Sequence, residues 1–223
     1  MKMTEQEHWD AFAEKTAARG DVAEPVFRWT QYEGHGPEEE VLGRPRSVLE
    51  LGCGSGENVV ALVRKGFDAS GVDLSPVQCR LAAERWPDVS RSRFIGAEAV
   101  SYLTGTSTSY DAMYSVFGAV WFTSPRELLP VVRQRLVPGG LLAFSHPPAI
   151  DGCYGPQGMY RGGFTGKATF LRRHCYTPEL WTGILLSHGF VDVRAEVIPA
   201  PQPGHIGTLL VQATAAPGAT KAL

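Results

Sequence analysis

From residue 46 onwards, short apolar runs alternate with stretches in which apolar residues recur every three or four positions. The apolar runs predict five strands, SVLEL, FDASGVDL, SRFIGA, SYDAMYSVF and GLLAFSH. The periodic stretches predict the helices GENVVALVRKG, SPVQCRLAAERW and SPRELLPVVRQRLV, and the last two begin with a Ser-Pro pair that is typical of a helix start. Strands that alternate with helices predict an α/β fold with a doubly wound, mostly parallel sheet.

The regular alternation stops after His146. Residues 147–175 are rich in glycine and proline and show no clear period, so the sequence predicts a lid inserted after the fifth strand, with a disordered linker as the alternative. Residues 177–214 then predict the helix TPELWTGILLSHGF and a hairpin of two β-rich runs, VDVRAEVI and HIGTLLVQATA. Residues 215–223 predict a frayed tail.

Residues 1–44 predict an N-terminal helical cap. Trp9 and Phe12 fall on one face of a helix over about residues 4–18, and a segment that mixes aromatic residues with helix breakers follows. We expect the cap, the regular core of residues 46–146 and the C-terminal elements to form one domain, because 223 residues with 43% hydrophobic content suit a single core.

Composition and charge narrow the classes of partner. The net charge is −2 and no block of Lys or Arg occurs, which predicts no nucleic-acid partner, with a tRNA or rRNA substrate as the alternative. The polar first residues and the lack of a long apolar run predict a cytoplasmic protein without a membrane span, as a monomer or homodimer. The four scattered cysteines fit neither a metal site nor a disulfide framework, so we interpret them as reduced thiols.

The stretch VLELGCGSGENVVALV places three glycines between a predicted strand and a predicted helix. Gly52, Gly54 and Gly56 would leave bare backbone N–H groups at a helix N-terminus, where a ligand can approach closely. The dinucleotide fingerprint G-x-G-x-x-G requires a glycine at the position of Glu57. Because an acidic side chain there repels a pyrophosphate, the pattern predicts a cationic or zwitterionic ligand.

A carboxylate follows the next predicted strand. Asp73 ends FDASGVDL, where an acceptor-only side chain can take both hydroxyls of a ribose. The alternative is that Asp73 only shapes the turn that follows it and that Glu50 is a strand-end carboxylate facing water. The occurrence of both acidic residues beside the three glycines favours a ribose-containing ligand over a turn residue and a solvent-facing carboxylate that are unrelated to each other.

At this point the sequence resembles the class I S-adenosylmethionine-dependent methyltransferases over about residues 46–146. The segments VLELGCGSG, GVDLSP, SYDAMYSVFGAVWF and RQRLVPGGLLAFS are similar to four motifs of that family, and they occur in the family's order. The resemblance implies a Rossmann-like, seven-stranded sheet in the order 3-2-1-4-5-7-6 with strand 7 antiparallel. It also implies that residues 46–146 form the cofactor-binding core.

The resemblance assigns cofactor roles to single residues. The three glycines would pack against the methionine part of S-adenosylmethionine, and Glu50 would hold its amino group. Asp73 would hold the ribose, and Leu74 would lie against the adenine. Where many relatives have Gly-Asp-Ala after strand 3, this chain has GAEAV. Either Glu98 therefore reaches the adenine amine or Ala97 contributes backbone only.

Residues after strands 4 and 5 would face the reacting centre, since ligands bind beyond the carboxyl ends of strands in open α/β sheets. This rule points to Phe117 and Gly118 beside the cofactor, and to Trp121 and Phe122 beside the acceptor, although the last two could simply pack under a loop. His146 is the candidate general base, and its alternative is a hydrogen bond to the adjacent loop.

The predicted lid adds further candidates. Tyr154 and Tyr160 would contact the acceptor, and His174 is a weaker candidate base. An excess of cations in the lid, including Arg172 and Arg173, would bind an acidic substrate or form a solvated face.

The sequence therefore predicts a methyltransferase that acts on the O or N atom of a small-molecule acceptor. In-line methyl transfer needs orientation and exclusion of water more than a reactive side chain. The first alternative is a protein of the same fold with a changed reaction, such as a cyclase or decarboxylase. The second alternative is an NAD-dependent oxidoreductase.

Overall fold

A computed structural model describes residues 3–17, 24–161 and 169–217, without the side chains of residues 159–161 and 169–170. Its main feature is a seven-stranded sheet in the order β3-β2-β1-β4-β5-β9-β8. The strands are β1 (Ser47–Leu51), β2 (Asp68–Asp73), β3 (Phe94–Gly96), β4 (Tyr110–Val116), β5 (Leu136–His146), β8 (Phe190–Ile198) and β9 (Thr208–Ala215).

The predicted sheet is confirmed. Strands β1 to β5 pair in parallel, whereas β9 is antiparallel to both β5 and β8. Two further strands, β6 (Gly155–Arg161) and β7 (Thr169–Cys175), pair only with each other and account for the shift in numbering. Without them the order is the expected 3-2-1-4-5-7-6.

Seven α-helices are described: α1 (Glu5–Ala17), α2 (Glu57–Arg64), α3 (Pro76–Arg85), α4 (Ala99–Gly105), α5 (Ala119–Phe122), α6 (Pro125–Arg135) and α7 (Pro178–Ser187). Two 3-10 turns cover residues 39–42 and 91–93. Hydroxyl caps start two of the predicted helices: Ser75 accepts from the N–H of Gln78, and Thr177 accepts from the N–H of Leu180. None of the described helices has the length and apolarity needed to cross a membrane.

Alternate residues of the strands supply two apolar cores, one on each face of the sheet. Leu49 and Met113 pack with α4, α6 and α7 on one face, whereas Val48 and Tyr114 pack with α2 and α3 on the other. Both faces are therefore covered, and the carboxyl ends of the parallel strands stay open at one edge.

The segment after β5 is more regular than its sequence predicts. Much of residues 147–175 forms the antiparallel β6–β7 hairpin, although glycines hide the alternation of apolar and polar positions. Residues 162–168 of the predicted lid lie outside the described residues. Whether the hairpin acts as a lid stays a prediction.

The predicted tail begins too early. Ala215 is the last residue of β9, pairs with Phe190 and is buried, because it closes the apolar core beside α7. Residues 218–223 lie outside the described residues.

Candidate active site

A cavity of about 1220 Å³ lies at the carboxyl ends of β1, β2 and β4. Its floor is the loop between β1 and α2, and further lining residues come from α1, from the segment between β4 and α6, and from β7. This is the edge of an open α/β sheet at which ligands bind. The volume also exceeds that of a single small-molecule pocket and leaves room for two bound molecules.

A side chain added to each of the three glycines of the loop would meet different surroundings. Each glycine adopts a positive φ, 84° at Gly52, 50° at Gly54 and 76° at Gly56. A Cβ atom at Gly52 would lie 2.5 Å from the backbone N of Ala119, and one at Gly56 would lie 2.5 Å from Cε1 of Phe94. A Cβ atom at Gly54 would meet no atom within 4 Å. Packing thus requires the outer two glycines, whereas Gly54 leaves space within the cavity lining.

The end of β4 meets this loop backbone to backbone. A Cβ atom at Gly118 would lie 2.5 Å from the carbonyl O of Leu51, so glycine is required there too. The preceding residue, Phe117, lines the cavity with a φ of 49°, a conformation that is rare for a residue with a side chain and that often marks a functional site. Phe117 therefore lies in the cavity lining next to Gly118, and its contact with the cofactor stays a prediction.

Asp73 joins the two loops that follow β1 and β2. Its Oδ2 accepts from the N–H of Gly54 at 2.8 Å, and its Oδ1 accepts from the N–H of Ser75 at 2.9 Å. Burial raises the pKa of Asp73, and the two hydrogen bonds oppose that rise. Each oxygen keeps a lone pair for a ligand, since a carboxylate oxygen can accept two hydrogen bonds.

Glu50 lies on β1, lines the cavity and is 3% exposed. Its Oε2 accepts a hydrogen bond from the hydroxyl of Tyr114 at 3.0 Å. Burial raises the pKa of Glu50 to about 8, although hydrogen bonds from Tyr114 and Asn58 oppose the rise. The sequence alternative, a strand-end carboxylate facing water, does not describe this side chain.

The next part of the wall carries Leu74, Ala97 and Glu98, all of which line the cavity. The Glu98 carboxylate caps α4, because its two oxygens accept from the N–H groups of Val100 at 2.9 Å and Ser101 at 2.7 Å. The role predicted for Glu98 against the adenine must therefore be compatible with this cap.

Helix α1 forms one side of the cavity. The ring of Trp9 packs edge-on against Phe122, with centroids 4.9 Å apart, and Asp10 accepts a hydrogen bond from the Ser75 hydroxyl at 2.5 Å. Glu5 and Phe12 of the same helix also line the cavity. The sequence pattern predicted the helix but held no signal for Glu5, because only tertiary packing brings it to the site.

The structure brings only part of the predicted acceptor set together. Phe122 lines the cavity, but Trp121 is buried behind it and carries the Arg173 guanidinium 4.1 Å above its ring. Tyr154 is 43% exposed and is not among the described lining residues. Tyr160 lies on β6, and its side chain is outside the described part of the chain.

His146 does not face the cavity. The side chain is 0% exposed and stacks on Trp121 with an interplanar angle of 3°, and its Nδ1 donates to the carbonyl O of Pro147 at 2.7 Å. Burial lowers the pKa of His146 to about 4. A general base must reach the proton that it takes, so this geometry corrects the assignment of His146 and favours its alternative, the hydrogen bond to the loop.

Strand β7 contributes two polar side chains to the cavity. The sequence identified one only as a weaker candidate base and the other only as one of several cations in the lid. Arg172 and His174 both line the cavity, and since side chains alternate along a strand, Arg173 between them packs on Trp121 instead. Opposite them, Glu127 of α6 and Glu5 of α1 also line the cavity. Alternation on β7 was the signal that could have singled out Arg172 and His174.

The core of this chain resembles known proteins in sequence. Residues 48–140 match a family model described as a methyltransferase domain. The resemblance covers 93 of the 223 residues. Two trans-aconitate 2-methyltransferases resemble the chain in sequence: the protein of Paracidovorax citrulli is 29% identical over 55% of this chain and 48% of its own length, and that of Deinococcus radiodurans is 28% identical over 73% and 66%.

Solved structures of methyltransferases share the fold of this chain. The 1,6-didemethyltoxoflavin-N1-methyltransferase of Burkholderia thailandensis, with S-adenosylhomocysteine bound, aligns with a TM-score of 0.58 at 23% identity over 80% of this chain and 74% of its own. An amino pentose methyltransferase from Micromonospora echinaspora aligns with a TM-score of 0.53 at 18% identity over 93% and 92%. The chain spans about half the length of the first curated relatives, 48% in the first case, so their activity does not transfer directly.

Proposed function

We propose that the protein is an S-adenosylmethionine-dependent methyltransferase that acts on a small-molecule acceptor. The observation that carries the proposal is the cavity floor, where the bare backbone of Gly54 is hydrogen-bonded to the Asp73 carboxylate and the Glu50 side chain lines the same cavity. This arrangement offers close approach, a partner for an ammonium group and acceptors for ribose hydroxyls.

The charge of the cavity supports a cationic cofactor. Its lining contains seven acidic side chains and three arginines among the described residues, and even with Glu50 protonated the acidic groups outnumber the arginines. A pyrophosphate would not be favoured beside Glu57. When bound, the sulfonium supplies an electrophilic methyl group. The protein would hold the ribose with Asp73, the amino group with Glu50 and the adenine beside Leu74, while Phe117 would cover the methionine part.

The comparisons do not support the two alternative functions from the sequence. An oxidoreductase would need its dinucleotide phosphates at the turn where Glu57 stands, and the domain matched over residues 48–140 is a methyltransferase domain. Methylation of an O or N atom of a small molecule remains our proposal. Trans-aconitate, which the names of the relatives give as their substrate, is one acceptor to assay.

Calorimetric titration with S-adenosylmethionine and with NAD tests the cofactor. We expect only the former to bind, and we expect Asp73→Ala to weaken that binding by about 1–3 kcal/mol, the value for hydrogen bonds to a charged group. Far-UV circular dichroism checks that the variant is folded. Binding of NAD alone, or an unchanged dissociation constant in folded Asp73→Ala, would contradict the proposal.

Transfer itself is tested with a labelled methyl group and a panel of small molecules that includes trans-aconitate. Accumulation of S-adenosylhomocysteine together with a labelled product is the expected result. Consumption of the cofactor without transfer of the labelled methyl group to any acceptor would instead indicate a changed reaction.

A further inference from the structure

One histidine of the cavity wall has an unused hydrogen-bonding atom. His174 lines the cavity and is 4% exposed, and its Nδ1 is buried without a hydrogen-bond partner in the described part of the chain. Buried polar side-chain atoms normally have a partner, from the protein or from a bound molecule. Because this nitrogen has no accessible surface, the ring would meet a molecule in the cavity through its other nitrogen, Nε2, which is not among the buried unpartnered atoms of the described residues.

The surroundings keep this imidazole neutral. Burial and the neighbouring Arg172 guanidinium lower the pKa of His174, and Glu127 opposes the shift. A neutral imidazole has one nitrogen that accepts a hydrogen bond and one that donates. At neutral pH His174 can thus accept a hydrogen bond or a proton.

Among the described residues that line this end of the cavity, carboxylates outnumber cations. Glu5 of α1 and Glu127 of α6 contribute two carboxylates and Arg172 contributes one guanidinium. The Arg173 guanidinium lies outside the lining, 5.9 Å from the centre of the Phe122 ring. The aromatic rings of Trp9 and Phe122 provide an apolar wall beside them. A negatively charged acceptor would be repelled by the two carboxylates, whereas a neutral or cationic one would not.

We propose that this end of the cavity binds a neutral or cationic acceptor that carries an O–H or N–H group, and that His174 accepts the proton of that group. The inference rests on the proposed function and specifies its substrate class. Acceptors of the carboxylate type, which the names of the relatives suggest for those proteins, are disfavoured here.

The proton must be accounted for when such a group is methylated. The lone pair of the acceptor atom forms the new bond to the methyl carbon, and the sulfur keeps the electrons of the broken bond. A hydroxyl acceptor loses its O–H proton as this bond forms, whereas an ammonium acceptor must first lose one N–H proton to free its lone pair. In either case His174 takes the proton and releases it to solvent after the product departs, whereas a carboxylate acceptor would have no proton to give.

Three probes with one ring and different charge test the substrate class: benzylamine, benzyl alcohol and benzoate. Their binding to the full chain saturated with S-adenosylhomocysteine is measured by calorimetry. We expect benzylamine and benzyl alcohol to bind at least about tenfold more tightly than benzoate, because the carboxylates repel the anion. Equal or tighter binding of benzoate would overturn the proposal.

The contact with His174 has its own readout. In protein labelled with ¹⁵N-histidine, we expect the ring nitrogen signals of His174 to move when benzyl alcohol is added, and those of exposed His205 to stay unchanged. His174→Phe, which keeps a ring but removes the nitrogens, should weaken binding of benzyl alcohol about threefold to tenfold. His205→Phe is the matched control and should have no effect.

The two proposals fail in different ways. If S-adenosylhomocysteine does not bind to the wild-type protein, the proposed function is wrong. If it binds normally to both variants while the His174 signals do not respond to benzylamine or benzyl alcohol, only the inference about His174 is wrong.

Discussion

The glycines of the loop between β1 and α2 differ in whether protein packing or a bound ligand would require them. A Cβ atom added at Gly52 or Gly56 would lie 2.5 Å from another protein atom, whereas one added at Gly54 would meet none within 4 Å. Substitution at the outer two would disturb the fold first, so it reports little about a ligand. Gly54 is the position at which an added side chain would compete directly with a bound molecule.

We expect Gly54→Val to abolish binding of S-adenosylmethionine while the protein stays folded. The valine side chain would fill cavity space, and its positive φ of 50° adds strain of about 1–2 kcal/mol. Gly204→Val is the matched control, since Gly204 also has a positive φ, 80°, and no atom within 4 Å, but lies outside the cavity lining. Calorimetry should show lost binding only for Gly54→Val, and equal binding by both variants would contradict our assignment of the loop.

The raised pKa of Glu50 predicts that binding of S-adenosylmethionine releases a proton. This pKa of about 8 keeps the carboxyl protonated at pH 6.5, and an α-amino group is charged at that pH. If the two form an ion pair, binding of S-adenosylmethionine should release close to one proton, which calorimetry in buffers of different ionisation enthalpy measures. Glu50→Gln should release almost none, and equal release by both proteins would exclude Glu50 as the partner of the amino group.

The same pKa shift gives a check on the free protein. The pKa of Glu50 is raised from 4.5 to about 8, so folding favours the protonated form. The contribution of this group to stability is therefore present at low pH and is lost as the pH rises through 8. Glu50→Gln should remove that part of the pH dependence in thermal unfolding, which separates a structural effect from the binding effect.

The sequence located the residues proposed for the cofactor at the cavity more reliably than those proposed for the acceptor. Gly54, Asp73 and Glu50 lie within or next to strand ends, so their spacing along the chain already fixes their relative positions. Glu5 and His174 reach the cavity only through the packing of α1 and β7 on the sheet, which no local pattern encodes. The prediction for His146 failed because strand position alone does not say which way a side chain points.

At the scale of elements, the cavity is closed by two units that do not belong to the seven-stranded sheet. Helix α1 contacts the segment after β4 through Trp9 and Phe122, and it contacts the loop after β2 through Asp10 and Ser75. Strand β7 of the β6–β7 hairpin, which contacts α1, contributes Arg172 and His174. The sheet therefore fixes the end of the cavity that we propose for the cofactor, and the two added units shape the end that we propose for the acceptor.

We expect Trp9→Ala to weaken the docking of α1 and, with it, the retention of bound ligand. Loss of the edge-on ring contact with Phe122 should cost about 0.5–1.5 kcal/mol beyond the loss of buried area. Hydrogen exchange of residues 5–17 in the complex with S-adenosylhomocysteine should rise accordingly. Glu14→Ala, on an exposed position of the same helix, is the control, and equal exchange in both variants would show that Trp9 does not hold α1 in place.

At the scale of the whole molecule, the alternation of strands with periodic helices predicted a mostly parallel sheet with a final hairpin, whereas the order of the strands was expected only from the resemblance to the methyltransferase family. Helices α4 and α5 were missed, since seven and four residues are too short to show a period. The β6–β7 hairpin was missed because its glycines interrupt the alternation of a strand. These elements form through contacts with the rest of the fold, and such contacts leave no periodic pattern in the sequence.

The stability of the whole molecule should depend on the close backbone contact between the ends of β1 and β4. In Gly118→Ala, the new Cβ would lie 2.5 Å from the carbonyl O of Leu51 and 2.8 Å from that of Gly52, so one loop must move. We expect a loss of about 1–3 kcal/mol in the free energy of unfolding, as for other overpacked sites. For a chain of this size, thermal unfolding should shift by about 2–4 °C per kcal/mol.

Gly105→Ala is the control for this measurement, because a Cβ at Gly105, the last residue of α4, meets no atom within 4 Å. The control should leave the melting temperature unchanged or raise it slightly, since alanine restricts the unfolded chain. Binding of S-adenosylhomocysteine should also weaken in Gly118→Ala, because the loop that must move carries Gly54 and the Asp73 hydrogen bond. A melting temperature equal to that of the wild type would show that the two strand ends adjust without cost, and the cavity floor would then be less rigid than its close contacts indicate.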